Sequence, residues 1–91
     1  MHAILAIDQG THASRALLFD AEGRLQGQNH CAIALHRYSE TIIEQDASEI
    51  LSSVRMVLAG ALEQTSSPIR AAALTTQRST LVAWDGESGQ P

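Results

Sequence analysis

The 91-residue sequence contains no lysine, a single cysteine, and one residue each of phenylalanine, tryptophan and tyrosine. Its six basic residues are therefore all arginine, and ten acidic residues give a formal net charge of −4. Because no basic stripe could neutralise a run of phosphates, nucleic-acid binding is not expected. Cys31 has no partner in the chain, which excludes an internal disulfide and a cysteine-rich metal site.

Long apolar runs and a leader pattern are also lacking. The longest apolar runs have the length of a strand, far short of a membrane span. The N-terminus lacks a charged region followed by an apolar core and a small-residue cleavage site, so no secretion signal is expected. The four histidines show no H-x-x-x-H spacing, which argues against a zinc site. Together with the lone cysteine, these absences predict a cytoplasmic protein with no membrane partner.

The most informative stretch is Asp8–Arg15, a polar turn between two apolar runs. Ala3–Ile7 leads into the turn and Ala16–Phe19 leads out of it, which predicts a strand, a tight turn and a second strand. A backbone that approaches a phosphate closely favours glycine and small polar residues of this kind. We therefore interpret the stretch as a phosphate-handling hairpin. Because its first strand is apolar at every position, we expect that strand to be central and buried on both faces.

Further strand and helix signals follow the hairpin. A turn with a late glycine predicts a third strand from Leu25 to Leu35, which completes an antiparallel meander. Residues 36–45 are polar and predicted to be irregular. Asp46 and Glu49 then form a capping-box pattern, and the helix behind them is expected to run to about Gln64. One apolar face of this helix is predicted to pack on the sheet, and it consists of Ile50, Val54, Val57, Leu58, Ala61 and Leu62.

Two more strands are predicted behind the helix. Ile69 to Thr75 can pair in parallel with a strand of the meander through a right-handed crossover. Leu81–Trp84 is predicted to be a short final strand. The order β-β-β-α-β indicates an α/β protein, namely an incomplete ribonuclease H-like half-domain of the actin-like ATPase type. Ligands of open α/β sheets lie at strand-end loops, so the polar break after Thr75 is a candidate site.

The whole chain, residues 1–91, resembles the N-terminal part of the first domain of the FGGY carbohydrate kinases, and the glycerol kinase branch is the most similar. The motifs that carry the resemblance occur in the family's order and spacing. They are Ile7–Thr11, Ser14–Ala16, Glu44–Asp46 with Glu49–Ile50, Leu74–Thr80, and Trp84–Asp85 with Gly89–Pro91.

The resemblance implies transfer of the γ-phosphoryl group of ATP to a hydroxyl of a polyol or sugar, with Mg²⁺ as the metal. The nucleotide-binding residues that it implies are Asp8, Gly10, Thr11, His12, Ser14 and Arg15, with Asp8 reaching the metal through water. The substrate-binding residues that it implies are Thr11, Gln77, Arg78 and Ser79. Arg15 would neutralise phosphate charge, and Arg78 would orient the substrate hydroxyls. The sequence has no G-x-x-x-x-G-K-[ST] pattern, so it is not a P-loop kinase.

Three residues depart from the glycerol kinase pattern. His12 and Ala13 replace a threonine and a serine, which removes hydroxyl donors near the phosphate. Ser79 replaces a glutamate that accepts hydrogen bonds from glycerol hydroxyls. The pattern therefore predicts kinase chemistry and leaves the substrate open among glycerol, a related polyol and a sugar.

The resemblance also implies what lies outside these residues. The general base and the adenine-binding domain of the family would follow Pro91, so no catalytic residue is expected here and the 91-residue chain alone should be inactive. The expected partners are a small polyol or sugar and the remainder of the kinase chain, and a homo-oligomer is left open. Two alternatives are a nucleotide-binding or regulatory relative of the actin-like superfamily and a truncated, inactive product. Arg78 separates the first alternative from a kinase, because only a kinase needs an arginine on the substrate side.

Overall fold

A computed structural model describes residues 2–91 as one four-stranded sheet, one helix and a small hairpin. The elements are β1 Ala3–Gln9, β2 Ala13–Phe19, β3 Leu25–Ala32, β4 His36–Arg37, β5 Ile43–Glu44, α1 Ala47–Glu63 and β6 Ile69–Thr76. The strands of the main sheet lie in the order β3-β2-β1-β6. β1 pairs antiparallel with β2 and parallel with β6, and β2 pairs antiparallel with β3. The predicted α/β class, the meander and the central place of the first strand are confirmed.

The core lies between one face of the sheet and α1, which packs over β2 and β3. The buried apolar side chains of this layer are Ala3, Leu5, Ala16, Leu18, Val57 and Ala61. Leu18 is the largest fully buried side chain, with 1% of its surface exposed. Among the described residues, no helix is long and apolar enough to cross a membrane.

The start of α1 is fixed by two carboxylates. Asp46 is the N-cap, and its Oδ1 accepts hydrogen bonds from the backbone amides of Ser48 at 2.8 Å and Glu49 at 3.4 Å. The N-cap role predicted for Asp46 is confirmed. The reciprocal hydrogen bond predicted from Glu49 back to the N-cap residue is wrong, because Glu49 Oε1 accepts a hydrogen bond from the backbone amide of Ala34 at 2.8 Å. Glu49 therefore ties the start of the helix to the segment that follows β3.

Two predictions about burial need correction. Ala3 and Leu5 of β1 are buried beneath α1, but Ile4 on the opposite face is 38% exposed. β1 is therefore covered on one face only, since the helical layer lies on one side of the sheet in residues 2–91. The apolar stripe predicted for α1 is confirmed at Val57, Leu58 and Ala61 but not at Leu62. Ser53 is buried in the interface, whereas Leu62 is exposed, because α1 lies over β2 and β3 and does not extend across β6.

Two predictions for residues 25–45 differ from the structure. The pattern predicts a third strand that continues to Leu35, but β3 ends at Ala32. The chain diverges at Ile33, whose side chain is buried and whose amide donates to the carbonyl of His12 at 3.0 Å. The stretch 36–45, predicted to be irregular, contains the short antiparallel hairpin β4–β5.

The predicted final strand at Leu81–Trp84 is not present. The chain turns at Ser79, which has a φ of 60°, and the following residues run outside the sheet. Leu81 is 98% exposed. Because no neighbouring strand accepts its backbone hydrogen bonds, this apolar run does not form a strand.

Two glycines allow α1 to lie close to β3. A Cβ atom at Gly60 would collide with the side-chain amide of Asn29, and one at Gly27 would lie 2.5 Å from Gln64 Oε1. The side-chain amides of Asn29 and Gln64 also bond to each other, with Asn29 Nδ2 donating to Gln64 Oε1 at 3.0 Å. The ends of these two paired amides thus occupy the space beside Gly27 and Gly60 where a Cβ atom would stand.

The turn at the end of the chain is organised by one carboxylate. Asp85 Oδ1 accepts hydrogen bonds from the backbone amides of Ser88 at 2.8 Å and Glu87 at 3.0 Å. The backbone and side-chain hydrogen bonds from Ser88, and then the backbone bond from Glu87, lower the pKa of Asp85 below its ordinary value of 3.8. The charged form therefore stabilises the turn above the ordinary pKa, and this contribution is lost as the pH falls through the lowered pKa.

An NMR titration of the Asp85 carboxyl carbon tests this assignment. We expect a midpoint below 3.8, with the Ser88 amide shift changing over the same pH range. Ser88→Ala removes the hydroxyl donor and keeps the backbone donor, so the midpoint should rise part of the way towards the ordinary value. A midpoint at or above the ordinary value in the unmodified chain would contradict the hydrogen-bonding pattern.

Candidate functional site

The two polar breaks singled out in the sequence lie side by side. β1 and β6 are parallel neighbours, so their C-terminal ends reach the same edge of the sheet. Gln9 and Thr76 form the last pair of the ladder, and the Gln77 amide donates to the Gln9 carbonyl at 2.7 Å. The turn after β1, residues 10–12, is thereby adjacent to the loop after β6, residues 77–80.

Polar side chains form a row across the face of the sheet opposite α1. Asp8 is the cross-strand partner of Arg15, and Arg15 is in turn the partner of His30. Their neighbours Gln9 and Ser14 are buried on the helix side, so the row lies on the other face. Directly opposite Cβ atoms in an antiparallel pair are about 4.5–5.5 Å apart, so Asp8 and Arg15 are direct neighbours in this row. Their adjacency suits the binding of a phosphate and its metal ion.

His30 is a member of this row that sequence patterns do not reveal. Its place depends on the register between β2 and β3, and that register shifts at a bulge between Leu18 and Phe19. A bulge reverses which side chains share a face, and it has no reliable sequence signal in this stretch. Strand alternation alone therefore could not place the imidazole beside Arg15.

The turn between β1 and β2 is closed by its backbone. The Gly10 amide donates to the Ala13 carbonyl at 2.8 Å. A Cβ at Gly10 would lie 3.2 Å from that oxygen, so a larger residue would press on the turn. Thr11 and His12 are exposed at its tip. The turn thus presents a threonine hydroxyl and an imidazole to a ligand.

Ser14 is placed differently from the other predicted nucleotide-binding residues. Its side chain is fully buried, and its Oγ lies 2.7 Å from Ser53 Oγ of α1. Ser53 Oγ donates to the carbonyl of Ile50 at 2.6 Å. Since a serine has one hydroxyl hydrogen, Ser53 accepts and Ser14 donates in the pair. The Ser14 hydroxyl is therefore engaged in the core, away from the exposed tip of the turn.

Three glutamine side chains join the turn to the loop. Gln77 Nε2 donates to Gln9 Oε1 at 3.2 Å and to Gln45 Oε1 at 3.0 Å. Gln45 Nε2 donates to the carbonyls of Thr11 at 2.7 Å and Ala34 at 3.2 Å. Gln9 and Gln45 both lie within motifs that carry the family resemblance, but the resemblance implies no part in the site for either residue. Their contacts with Gln77 span 32 and 68 positions of sequence, so no local pattern indicates them.

The loop after β6 presents Arg78 and Ser79 at the surface. Both residues are exposed, and Ser79 has the left-handed φ of 60° that few residues other than glycine adopt. Thr80 Oγ1 donates to Gln77 Oε1 at 3.1 Å, which helps to hold this conformation. A non-glycine residue in such a conformation costs about 1–3 kcal/mol and persists where its surroundings determine it. Strain of this kind is common at binding sites.

An open cavity of about 860 Å³ lies between this loop and the start of α1. Its size is in the range usual for small-molecule sites. All four residues predicted to bind substrate line it, namely Thr11, Gln77, Arg78 and Ser79. Glu44 and Asp46 line it as well, so the cavity offers carboxylate acceptors beside a guanidinium donor, a combination suited to hydroxyl groups.

The residues present fit the predicted magnesium ion. Among residues 2–91, no three histidine, cysteine, aspartate or glutamate side chains group together as a metal cage. Mg²⁺ commonly keeps several waters and is held by one or two carboxylates together with substrate phosphates. The single carboxylate of Asp8 beside Arg15 agrees with such a water-mediated site.

Comparisons with known proteins identify relatives of this chain. The chain is 41% identical over 91 residues to a glycerol kinase of Lactococcus lactis, covering 97% of this chain and 18% of that protein. The crystal structure of Plasmodium falciparum glycerol kinase with ADP superposes with a TM-score of 0.89 at 26% identity, covering 100% of this chain and 19% of that one. The ligand-bound xylulose kinase of Lactobacillus acidophilus, at 21% identity and a TM-score of 0.78, shows the same fold over 85% of this chain and 16% of its own.

The chain thus spans about one fifth of the length of the relatives it matches. Residues 3–91 match the model of the FGGY family of carbohydrate kinases, N-terminal domain. The resemblance stated from the motifs is confirmed over nearly every residue. This chain belongs to the FGGY family of carbohydrate kinases and lies within their N-terminal domain.

Proposed function

We propose that the protein containing this chain transfers the γ-phosphoryl group of ATP to a hydroxyl of a polyol or sugar. One observation carries the proposal: the row of Asp8 and Arg15 and the loop with Arg78 lie at neighbouring ends of β1 and β6, with Thr11 between them. Family membership, the named glycerol kinase relatives and the ADP in one related structure support it.

The phosphate side of the site is assigned to the turn and the row. Arg15 supplies a guanidinium, which pairs with phosphate oxygens in a bidentate manner. Thr11 and His12 offer their backbone amides and two polar side chains at the tip of the turn, while the Gly10 amide closes the turn. Asp8 would hold a magnesium ion through water, and that ion, when bound, neutralises charge on the phosphates.

The substrate side is assigned to the cavity. Arg78 donates hydrogen bonds to substrate hydroxyls, Ser79 contributes a short neutral side chain, and Gln77 lies directly behind them. Thr11 is exposed at the tip of the turn and also lines the cavity, so we assign it to the point where the phosphoryl group would pass. Phosphoryl transfer depends mostly on positioning and on charge stabilisation, and these residues supply both. The group that accepts the hydroxyl proton is not among them, so we expect the 91-residue chain alone to be inactive.

Replacing Arg78 by alanine in the full-length protein tests the substrate side. We expect kcat/KM for the polyol or sugar to fall about 100-fold, because a charge-assisted donor to the substrate is lost. The affinity for ATP should stay within about twofold, since Arg78 lines the cavity and does not belong to the row of Asp8 and Arg15. Initial rates with glycerol, other polyols and sugars measure the first quantity, and calorimetric titration of ATP measures the second.

Arg70→Ala is the matched control, because Arg70 is exposed near the opposite end of the same strand. If both arginine variants keep wild-type kinetics, the assignment of Arg78 is wrong. If the wild-type protein binds ATP but phosphorylates no polyol or sugar, the nucleotide-binding or regulatory alternative replaces the kinase proposal.

A further inference from the structure

We propose that Gln9, Gln45 and Gln77 are positioning residues. They hold the loop after β6 (residues 77–80, which include Arg78) at a fixed distance from the turn after β1 (residues 10–12). This inference rests on the proposed function and goes beyond it, because it assigns to three amides the alignment of substrate with phosphate. None of the three needs to touch the substrate. Gln77 in particular acts through its neighbour Arg78.

The hydrogen bonds leave Gln77 no free amide hydrogen for a ligand. Its Nε2 donates to Gln9 Oε1 and to Gln45 Oε1, which uses both hydrogens. Its Oε1 accepts from Thr80 Oγ1 at 3.1 Å. We therefore assign Gln77, which sequence resemblance places among the substrate-binding residues, to the support of the loop.

Two routes connect the loop to the turn. The backbone route is the bond of 2.7 Å from the Gln77 amide to the Gln9 carbonyl. The side-chain route runs from Gln77 through Gln45 to the carbonyl of Thr11, again at 2.7 Å. Gln45 also donates to Ala34, so the segment between β3 and α1 is held in the same network. Three separate stretches of the chain thus meet at the three amides, namely residues 9–11, 34–45 and 77–80.

The burial of the three glutamine side chains disfavours any arrangement that breaks their hydrogen bonds. Gln9 is 6% exposed, and Gln45 and Gln77 are half-buried. A buried amide without a partner costs about 1–3 kcal/mol, so arrangements that break the network are disfavoured. Because a displacement of about 1 Å between reacting groups can reduce a rate about 100-fold, a network that holds Arg78 relative to Thr11 bears directly on turnover.

Gln77→Met and Gln45→Met in the full-length protein test the inference, since methionine keeps the approximate length and removes the hydrogen bonds. We expect kcat to fall about 10- to 100-fold while KM for the polyol or sugar and the affinity for ATP stay within about threefold. Arg78→Ala, in contrast, removes a substrate contact and should also raise KM. Gln28→Met on the exposed surface of β3 is the matched control and should behave as wild type.

Hydrogen exchange gives a second readout that needs no activity. The Gln77 backbone amide, which donates to the Gln9 carbonyl, should exchange about 10-fold faster in Gln45→Met than in Gln28→Met, with the remaining sheet unchanged. If the wild type is active and the Gln77 and Gln45 variants match Gln28→Met in both kcat and exchange, the inference is wrong and the proposed function stands. If the wild type shows no turnover while exchange in the loop still accelerates, the proposed function fails and the structural link between the amides and the loop is upheld.

Discussion

Asp8→Asn in the full-length protein is expected to lower kcat about 100- to 1,000-fold, the range typical for removal of one preorganised electrostatic group at a reacting phosphate. Asparagine has nearly the same shape as aspartate, so the effect would come from the lost charge. Asp8 faces Arg15 across the sheet, and it is the acidic member of the row. If Asp8 binds magnesium as proposed, the loss of its charge would weaken the binding of the ion and of the phosphates.

Raising the Mg²⁺ concentration should restore part of the lost rate, because an asparagine oxygen can still accept a hydrogen bond from metal-bound water. Steady-state rates as a function of both ATP and Mg²⁺ measure these effects. Asp20→Asn is the control: Asp20 lies in the exposed turn between β2 and β3, where Oδ1 accepts from two backbone amides and an asparagine oxygen can do the same. Equal kcat values for the two variants would remove Asp8 from the site.

Leu18→Ala is expected to lower the free energy of unfolding of this domain by about 2–5 kcal/mol. Leu18 is fully buried beneath α1, in the cluster that contains Val57 and Ala61. Truncating it removes apolar contact and leaves a cavity that the packed strands and helix can only partly close. Urea unfolding followed by circular dichroism at the helix wavelength measures the loss.

Leu51→Ala provides the comparison, because the same atoms are removed from a side chain that is 51% exposed on α1. Surface substitutions usually change stability by about 0.5 kcal/mol or less. A similar loss for both variants would contradict the placement of the core between α1 and the meander. A gradual, non-cooperative transition would show that these residues need the rest of the protein to fold.

Most of the fold could be predicted because its signals are local. Asp46 and the stripe behind it mark α1, and alternation or apolar runs mark the strands of the main sheet. The faces of the elements were harder to predict. The burial of β1 and of Leu62 depends on which layers cover the sheet, and Leu81–Trp84 fails to form a strand for want of a neighbour. Such features depend on tertiary context and not on propensity.

The candidate site, like the fold, could be predicted from the sequence only in part. Motif order predicted that Asp8, Arg15 and Arg78 belong to one site, and the parallel pairing of β1 and β6 brings their segments to one edge. The buried hydroxyl of Ser14 was not predictable, because its partner Ser53 lies 39 positions away. The glutamine network depends equally on long-range contacts. Sequence thus identifies candidate ligand-binding residues more readily than the residues that hold them in place.

The outer edge of β6 has a consequence for how the chain behaves in solution. β6 is the last strand in the order of the sheet, and almost all of its residues are exposed. One side of its backbone therefore presents a row of unpaired amides and carbonyls to any extended segment that approaches. When residues 1–91 are expressed alone, a second copy is the most abundant such segment. Self-association through β6 will then compete with any measurement of the monomer, and it will grow with protein concentration.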